Sequence, residues 1–221
     1  MKSLFNYIIK YLAANMYYSN INSNKFNIKT ESKNIPCQCN CLLQMLAEKD
    51  MYTYTHSQYT AQYAADLAKS LNLNDSIIKD LEIAGWFHDI GKVLVINNIL
   101  RKNSKLNEIE YSNIQQHVVN GLNILVNCDI SPTAISAIKF HHERWDGKGY
   151  PNGIYGKNTP IEGRILQIAD AFSAMTVKRI YREPFPFEEA IKELKENSGK
   201  QFDPQLSKVF IDMLENKKIA I

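Results

Sequence analysis

The sequence predicts an all-α fold, and three observations support this prediction. Apolar residues recur at helical three-to-four spacing from Cys41 onward. No proline lies between Pro36 and Pro132, and no glycine precedes Gly85. The residues that most often interrupt helices are therefore rare before Pro132. Alternation of apolar and polar residues indicates a strand, and no alternating run in the chain is longer than Val93–Ile96.

The first forty residues are predicted to be an extension of one larger domain. Residues 1–18 have an apolar stripe that suits one amphipathic helix, and residues 19–36 are rich in Asn, Ser and Lys, as linkers are. Such a segment is too short for a sensor domain. We therefore expect an N-terminal extension over residues 1–40 and one domain over residues 41–217.

Capping residues predict where the first helices of this domain begin. Ser57 is a candidate cap for a helix with apolar residues at three-to-four spacing, and Asp75 for the helix that ends at His88. Asn107 precedes two glutamates and is expected to start a helix that continues to about Val126.

Proline and acidic residues predict the later helices. Pro132 and Pro204 each follow a capping residue and suit the first helical position, and Pro160 opens a further helix. The segment Glu188–Glu196 begins with acidic side chains, which the positive end of a helix dipole favours. Four of the nine glycines fall within Gly147–Gly156, so we expect one glycine-rich loop in an otherwise helical chain.

The composition argues against several classes of function. With 221 residues, of which 45% are hydrophobic and 22% charged, the chain is typical of a globular protein. The net charge is +3 and no block of five basic residues occurs, so a nucleic-acid polymer is not expected as a partner. No apolar run approaches the ~18 residues of a membrane span, and the N-terminal apolar run lacks a cleavage site, so a cytoplasmic location is expected.

The four cysteines allow more than one interpretation. Cys37, Cys39 and Cys41 alternate with other residues, whereas Cys128 is distant in sequence. A structural zinc site usually has four ligands in spaced Cys-x-x-Cys pairs, so free thiols in a reducing compartment are favoured. Metal binding and a redox role stay open as alternatives.

Histidines and aspartates form the main candidate site. A lone His-Asp pair at a helix end is usually structural, but the five histidines of this chain all fall in or beside predicted helices. Asp170 should face the core, because its neighbours one turn away are apolar, and a carboxylate there is costly unless it is paired or binds a metal. Helical bundles build metal sites from facing helices, and this set is large enough for two metals. The candidate ligands are His56, His88, Asp89, His117, His141, His142 and Asp170.

These residues resemble the His…His-Asp…Asp signature of the HD phosphohydrolase superfamily. One branch, the HD-GYP domains, is similar in further stretches that together cover roughly residues 41–215. Those stretches are HDIGK (His88–Lys92), His117 followed by Gly121, HHERWDGKGYP (His141–Pro151), RILQIAD (Arg164–Asp170) and QFDP (Gln201–Pro204).

The resemblance implies a phosphodiesterase that opens cyclic di-GMP to linear pGpG, which some family members cut further to GMP. It implies two divalent metals, most often iron or manganese, with zinc, nickel or magnesium as alternatives. A hydroxide bridging the metals would attack phosphorus, and Lys92 would neutralise a phosphate oxygen or help the leaving oxygen. Carried over by position, one metal would have His56, His88, Asp89 and Asp170, and the second would have His117, His141 and His142, with Asp89 bridging.

Substrate contacts are expected from cations and from the glycine-rich loop. Arg179 and Arg182 follow the Asp170 helix, and a guanidinium binds phosphate in a bidentate manner, although Arg182 is equally consistent with a solvated helix end. Tyr150 is expected to line the pocket. The sequence leaves Glu143 undecided between supporting the metal ligands and bracing the loop.

Four residues depart from the resembled family. Tyr52 stands where members with a third metal have glutamate, which favours a two-metal site. Ser173 replaces a second aspartate, so we expect altered hydrogen bonding around the ligands rather than metal loss. Leu94 and Ile96 stand where the family usually has Gly and Pro, which affects the expected shape of that loop.

Two other functions compete with cyclic di-GMP hydrolysis. One is an HD-type hydrolase for another cyclic dinucleotide or phosphoester, and the Gly-Tyr-Pro stretch argues against it. The other is a catalytically silent domain that senses the nucleotide or binds a protein, and the presence of every expected two-metal ligand argues against it. Regulation is expected through a homodimer, a signalling partner or the cysteine cluster.

Overall fold

The computed structural model describes residues 35–36, 39–178 and 183–219. Four predicted features lie outside these ranges, namely the helix over residues 1–18, Cys37, Arg179 and Arg182. The predicted division into an extension and one domain therefore stays a prediction.

The described residues form helices, which confirms the all-α prediction. The ten α-helices of this part of the chain are α1 (Asn40–Lys49), α2 (Met51–Ser70), α3 (Asp75–Phe87), α4 (Asn97–Leu100), α5 (Glu108–Gln115), α6 (His117–Leu125), α7 (Pro132–Phe140), α8 (Ile161–Thr176), α9 (Phe187–Glu196) and α10 (Pro204–Ile219). Short 3₁₀ helices cover Ile90–Leu94 and Gly156–Asn158. Within the described ranges there are two isolated β-bridges and no strand. None of the described helices has the length and apolar character needed to cross a membrane.

Side-chain caps begin several helices where the sequence predicts them. Asn107 forms a reciprocal capping box at the start of α5, and the Ser131 hydroxyl caps α7. Helix α3 is an exception, because Asn74 caps it rather than Asp75, and the Asn74 side chain accepts a hydrogen bond from Ile77 N at 2.9 Å. Asp75 lies instead in the first turn, where its negative charge interacts favourably with the positive end of the helix dipole.

The long helix α2 begins earlier than predicted. Ser57 does not cap it, because α2 begins at Met51 and buries Ser57 in its interior. Asp50 separates α1 from α2 and accepts a hydrogen bond from Thr53 Oγ1 at 2.6 Å. His56 consequently lies in the second turn of a helix rather than at its start.

The helix predicted from Asn107 to Val126 is in fact two helices. Helix α5 ends at Gln115, and α6 begins at His117. The break falls where His117 Nδ1 hydrogen-bonds to the carbonyl oxygen of Ile114, in the last turn of α5, where carbonyls have no intrahelical partner. His117 therefore begins a helix instead of lying in the middle of one.

One apolar core holds the helices together. Phe87, Phe172 and Phe210 are among its largest fully buried side chains. The rings of Phe172 and Phe210 meet edge to face with centroids 5.5 Å apart, an arrangement that the charge distribution of aromatic rings favours. Helix α2 packs against both α3 and α8, so these three helices share the core.

A glycine sets the distance between α2 and α3. A Cβ atom on Gly85 would lie 2.9 Å from the Cβ of Ala61 and closer still to its backbone, so a larger residue does not fit. The small residues allow the two helix backbones to touch. This contact brings His56 of α2 next to His88, which directly follows α3.

Cys39 and Cys128 are distant in sequence but adjacent in the fold. Burial, followed by a hydrogen bond with Cys128, raises the pKa of the Cys39 thiol to about 12. Among the described residues, Cys39 and Cys128 are thiols outside any disulfide. Free thiols are the favoured interpretation of the sequence, and the metal and redox alternatives stay predictions.

Candidate metal centre

The seven candidate ligands come from five segments of the chain and form one cluster. All are buried except His142 and Asp170, which are half-buried. Helix α2 provides His56, the end of α3 is followed by His88 and Asp89, α6 begins with His117, the end of α7 is followed by His141 and His142, and α8 provides Asp170.

The cluster consists of three overlapping groups, and within each group the candidate ligand atoms lie within 4.8 Å of one another. The groups are His56, His88 and Asp170; His88, Asp89 and His141; and His117, His141 and His142. The middle group contains one histidine from each predicted ligand set, together with the aspartate predicted to bridge them. The assignment of these groups to two metals stays a prediction.

Distances inside the cluster suit ligands that share a metal. Asp170 Oδ1 lies 2.9 Å from His56 Nε2 and 3.5 Å from His88 Nε2. Asp89 Oδ2 lies 3.4 Å from His88 Nε2, and Asp89 Oδ1 lies 3.4 Å from His117 Nε2. Two ligands that are each about 2.1 Å from one tetrahedral metal are about 3.4 Å apart, so these spacings fit.

Backbone hydrogen bonds fix the tautomer of three histidines. The Nδ1 atoms of His88, His117 and His141 bond to carbonyl oxygens three residues earlier in the chain. A carbonyl only accepts, so each Nδ1 carries a proton, and in the neutral ring each Nε2 presents a lone pair. All three carbonyls lie in the last turn of a helix, where the regular bond from the residue four positions later is missing or weakened.

The lone pairs fixed in this way converge. His117 Nε2 lies 3.5 Å from His141 Nε2, and in this tautomer neither nitrogen can donate to the other. Asp89 Oδ1 is buried and, within the described part of the chain, has no hydrogen-bond partner. Buried acceptors that face one another are costly unless a cation lies among them. This donor set of imidazole nitrogens and carboxylate oxygens therefore fits a transition metal.

Burial keeps most of these histidines neutral, which is the form that binds metals. It lowers the pKa of His117 to about 4 and that of His142 to about 3. His88 differs, because burial alone would lower its pKa, but the carboxylates of Asp89 and Asp170 outweigh burial and raise it to about 10. Without metal, a proton on His88 therefore offsets the charge of these carboxylates.

Lys92 and Tyr52 adjoin the cluster. Lys92 Nζ lies 2.6 Å from Asp89 Oδ2. Burial would raise the pKa of Asp89, but the charges of Lys92 and His88 outweigh burial and hold it well below its usual range. The Tyr52 ring stacks on the imidazole of His56 with centroids 5.8 Å apart. The position at which the resemblance expects a glutamate when a third metal is bound therefore has an aromatic ring packed on His56.

A buried carboxylate braces the glycine-rich loop. Glu143 accepts hydrogen bonds from the backbone nitrogens of Asn152 at 2.7 Å and Ile154 at 2.9 Å. The role that the sequence leaves undecided for Glu143 is therefore that of a loop brace. The same loop carries Tyr150, whose ring stacks on the imidazole of His142 with centroids 4.6 Å apart.

Two contacts near the cluster are not predicted from the sequence. Ser173 Oγ lies 2.9 Å from His56 Nδ1, and Arg164 forms an ion pair with Asp203 that ties α8 to the start of α10. The sequence predicts hydrogen bonding by Ser173 around the ligands but not that its partner is His56. Ser173 follows Asp170 by three residues and therefore shares that residue's face of α8.

A comparison with protein families agrees with this geometry. The family model described as HD domain matches residues 40–206, which include every candidate ligand. The chain belongs to the HD domain family. This result confirms the superfamily that the sequence motifs resemble, and proteins of the HD domain family are metal-dependent.

Curated relatives match this HD domain over most of its length. It is 34% identical over 175 residues to a cyclic di-GMP phosphodiesterase of Thermotoga maritima, a match that covers 78% of this chain and 48% of that protein. It is 37% identical over 162 residues to the 3'3'-cGAMP-specific phosphodiesterase 2 of Vibrio cholerae, covering 72% of this chain and 31% of that protein. The chain thus spans half or less of these relatives.

Solved structures share the fold of this HD domain. A cyclic GMP-AMP specific phosphodiesterase of V. cholerae superposes with a TM-score of 0.61 at 19% identity, covering 80% of this chain and 49% of that one. An HD-GYP protein of Bdellovibrio bacteriovorus superposes with a TM-score of 0.61 at 20% identity, covering 74% and 52%. At this level of identity the likeness concerns the fold alone.

Proposed function

We propose that the chain is a metal-dependent phosphodiesterase that hydrolyses cyclic di-GMP to linear pGpG, and further to GMP if the site accepts the linear product. The observation that carries this proposal is Asp89 Oδ1, a buried carboxylate oxygen without a hydrogen-bond partner, 3.4 Å from His117 Nε2. An interior site that gathers such acceptors is suited to cations. The choice of cyclic di-GMP as substrate rests on relatives that are named cyclic di-GMP phosphodiesterases.

Two divalent metals are proposed, with Asp89 shared between them. Iron or manganese is preferred, and zinc, nickel and magnesium are alternatives, because histidine and carboxylate ligands suit several of these ions. Bound metals would supply Lewis acidity toward a phosphate oxygen and a lower pKa for coordinated water. The first set of ligands would be His56, His88, Asp89 and Asp170, and the second His117, His141 and His142.

Side chains around this centre would neutralise and orient the substrate. The Lys92 side chain is 21% exposed while its Nζ lies 2.6 Å from Asp89 Oδ2, so its charge can act on a phosphate oxygen as negative charge develops there. Tyr150 would form a wall of the pocket beside His142, where an aromatic ring can stack with a base. Arg179 and Arg182 are proposed to bind the phosphates through their guanidinium groups.

Turnover by the purified chain tests this function. Protein loaded anaerobically with Fe²⁺ or Mn²⁺ is expected to convert cyclic di-GMP to pGpG or GMP, resolved by anion-exchange chromatography. Asp89→Ala should abolish the product. Asp212→Ala removes an exposed aspartate of α10 and serves as the matched control with wild-type turnover. Two bound metals without hydrolysis of cyclic di-GMP would contradict the proposal.

3'3'-cGAMP is a second candidate substrate. Three relatives specific for it are 33–37% identical to this chain, a range that overlaps the 31–35% of relatives named cyclic di-GMP phosphodiesterases. The two dinucleotides differ in one base, so the phosphodiester chemistry is common and only base contacts discriminate. Both substrates in one reaction give the ratio of their kcat/KM values directly. A ratio above about tenfold in favour of 3'3'-cGAMP, or 1.4 kcal/mol, would make it the principal substrate.

Location and assembly complete the proposal. We place the activity in the cytoplasm and expect regulation through a homodimer or a signalling partner. Light scattering of the purified chain would report twice the monomer mass for a homodimer. A monomer mass at every concentration would leave a partner protein as the regulator.

A further inference from the structure

We infer that Ser173 is a positioning residue that fixes His56 as an Nε2 donor and thereby sets the affinity of the metal position formed by His56, His88 and Asp170. This inference rests on the metal centre of the proposed function. It concerns metal binding rather than turnover, so it can be tested without any substrate.

A closed pair of hydrogen bonds links Ser173 to His56. The Ser173 hydroxyl donates to the carbonyl oxygen of His56 at 3.0 Å, and Ser173 Oγ lies 2.9 Å from His56 Nδ1. In this arrangement the single hydroxyl proton is given to the carbonyl, so Oγ accepts from the ring. His56 Nδ1 then carries the proton, and Nε2, 2.9 Å from Asp170 Oδ1, is left as the donor atom for a metal.

His56 needs this contact because its own helix does not provide one. His88, His117 and His141 donate Nδ1–H to carbonyls three residues earlier, at the ends of helices. His56 lies inside α2, where the carbonyls are engaged in the helix. A side chain from a second helix must take the place of those carbonyls, and Ser173 of α8 does so.

Helix α8 thus contributes twice to the same metal position. Asp170 supplies a candidate ligand atom, and Ser173, three residues later on the same face, orients a second ligand. Both Ser173 and His56 are buried, at 0% and 3% exposure, so water does not compete for the contact. The hydroxyl is neutral, and its proton is committed to the His56 carbonyl, so it orients the ring without adding negative charge. Loss of a group that orients a metal-bound histidine typically lowers metal affinity about 10–100-fold.

The test combines metal titration with the tautomer of His56. In calorimetric titrations with Mn²⁺, Ser173→Ala should weaken one of two binding events about 10–100-fold and leave the other unchanged. Ser173→Cys keeps a similar volume with a weaker acceptor and should fall between Ser173→Ala and wild type. The matched control is Ser207→Ala, which removes a buried serine of α10 whose hydroxyl donates to the Asp203 carbonyl at 2.9 Å, and it should bind Mn²⁺ as wild type does.

Nitrogen-15 labelling of the five histidines gives a readout that does not require Ser173→Ala to fold. In the Zn²⁺-loaded wild type, long-range proton–nitrogen correlations should show His56 protonated at Nδ1 and not at Nε2. His56→Asn identifies the signals by their loss. In Ser173→Ala this ring should lose its single tautomer while the other four keep theirs.

Several results would overturn the inference. A proton on His56 Nε2 in the Zn²⁺-loaded wild type would overturn it even if Ser173→Ala fails to fold. Unchanged affinity for both Mn²⁺ ions in Ser173→Ala would also overturn it. So would an equal loss of Mn²⁺ affinity in Ser207→Ala. Failure of the wild type to bind Mn²⁺ at all would refute the metal centre and this inference together, whereas metal binding without turnover would refute only the proposed function.

Discussion

Gly91 provides the sharpest test of how the backbone positions the metal centre. It lies in the 3₁₀ helix Ile90–Leu94, directly after Asp89, and faces the start of α6. A Cβ atom on Gly91 would lie 2.6 Å from Gly121 N and 2.8 Å from the carbonyl carbon of His117, and closer still to the carbonyl oxygen. Gly91→Ala therefore forces the 3₁₀ helix away from α6, and this moves Asp89 away from His117.

The size of this movement follows from ordinary contact distances. Non-bonded heavy atoms prefer about 3.5–4.0 Å, and the added methyl comes nearest to the carbonyl oxygen of His117, so it requires a shift of about 1.6 Å. The distance between Asp89 Oδ1 and His117 Nε2 would grow from 3.4 Å to about 5 Å. Two ligands that are each about 2.1 Å from a metal can be no more than about 4.2 Å apart. Overpacking of this kind also costs about 1–3 kcal/mol of folding free energy.

The assay pairs thermal unfolding with metal stoichiometry. Gly91→Ala should lower Tm by roughly 3–10 °C, because 1 kcal/mol corresponds to about 2–4 °C in a domain of this size. It should also lose at least one of the metals that wild type retains after gel filtration. The matched control is Gly121→Ala on the opposite side of the same contact, where a Cβ would meet its nearest atoms at 3.4 Å.

Gly121→Ala should be neutral or raise stability by up to about 1 kcal/mol, because Gly121 lies inside α6 and alanine favours helix. Wild-type Tm and metal content in Gly91→Ala would refute the argument that backbone contact sets the ligand spacing. Equal losses in both variants would refute it too, since only Gly91 meets backbone at short range.

Three further predictions concern stability. Glu143→Gln should lower the free energy of unfolding by about 1–3 kcal/mol, because an amide has only one oxygen for the two loop nitrogens. The measurement is a urea titration followed by fluorescence, and an unchanged unfolding midpoint would contradict the brace. Asp203→Ala leaves the partly buried Arg164 guanidinium without its ion pair and removes the acceptor for Gln205 N, so it should cost about 3–5 kcal/mol by the same assay. Asn107→Ala removes the cap of α5 and should cost about 1 kcal/mol, seen as faster amide hydrogen exchange in its first turn; unchanged exchange there would contradict the capping role.

Local signals explain why much of this structure could be predicted. The cap at Asn107 acts over three residues, and the cap at Ser131 does the same, so both are visible in a short window of sequence. Asp170 was placed correctly toward the cluster because its helix neighbours are apolar. His88 and Asp89 are adjacent in the chain, so their shared position needs no knowledge of the fold.

Long-range contacts account for what could not be predicted. Ser173 meets His56 across 117 positions, and that contact exists only because α2 packs against α8. The break before His117 coincides with a bond from its imidazole to a carbonyl of the preceding helix, a contact that has no marker in composition. The brace from Glu143 depends on the path of a loop rather than on any periodic pattern.

The bonds from His88, His117 and His141 to helix ends bear on which residues would be kept if a domain of this kind lost its activity in evolution. A copy released from catalysis would still need those imidazoles to close its helices, so folding alone would preserve them. Asp89 Oδ2 pairs with Lys92, but among the described residues no group donates to Asp89 Oδ1. Retention of the three histidines therefore does not separate active copies from silent ones, and the carboxylate at position 89 is the better marker.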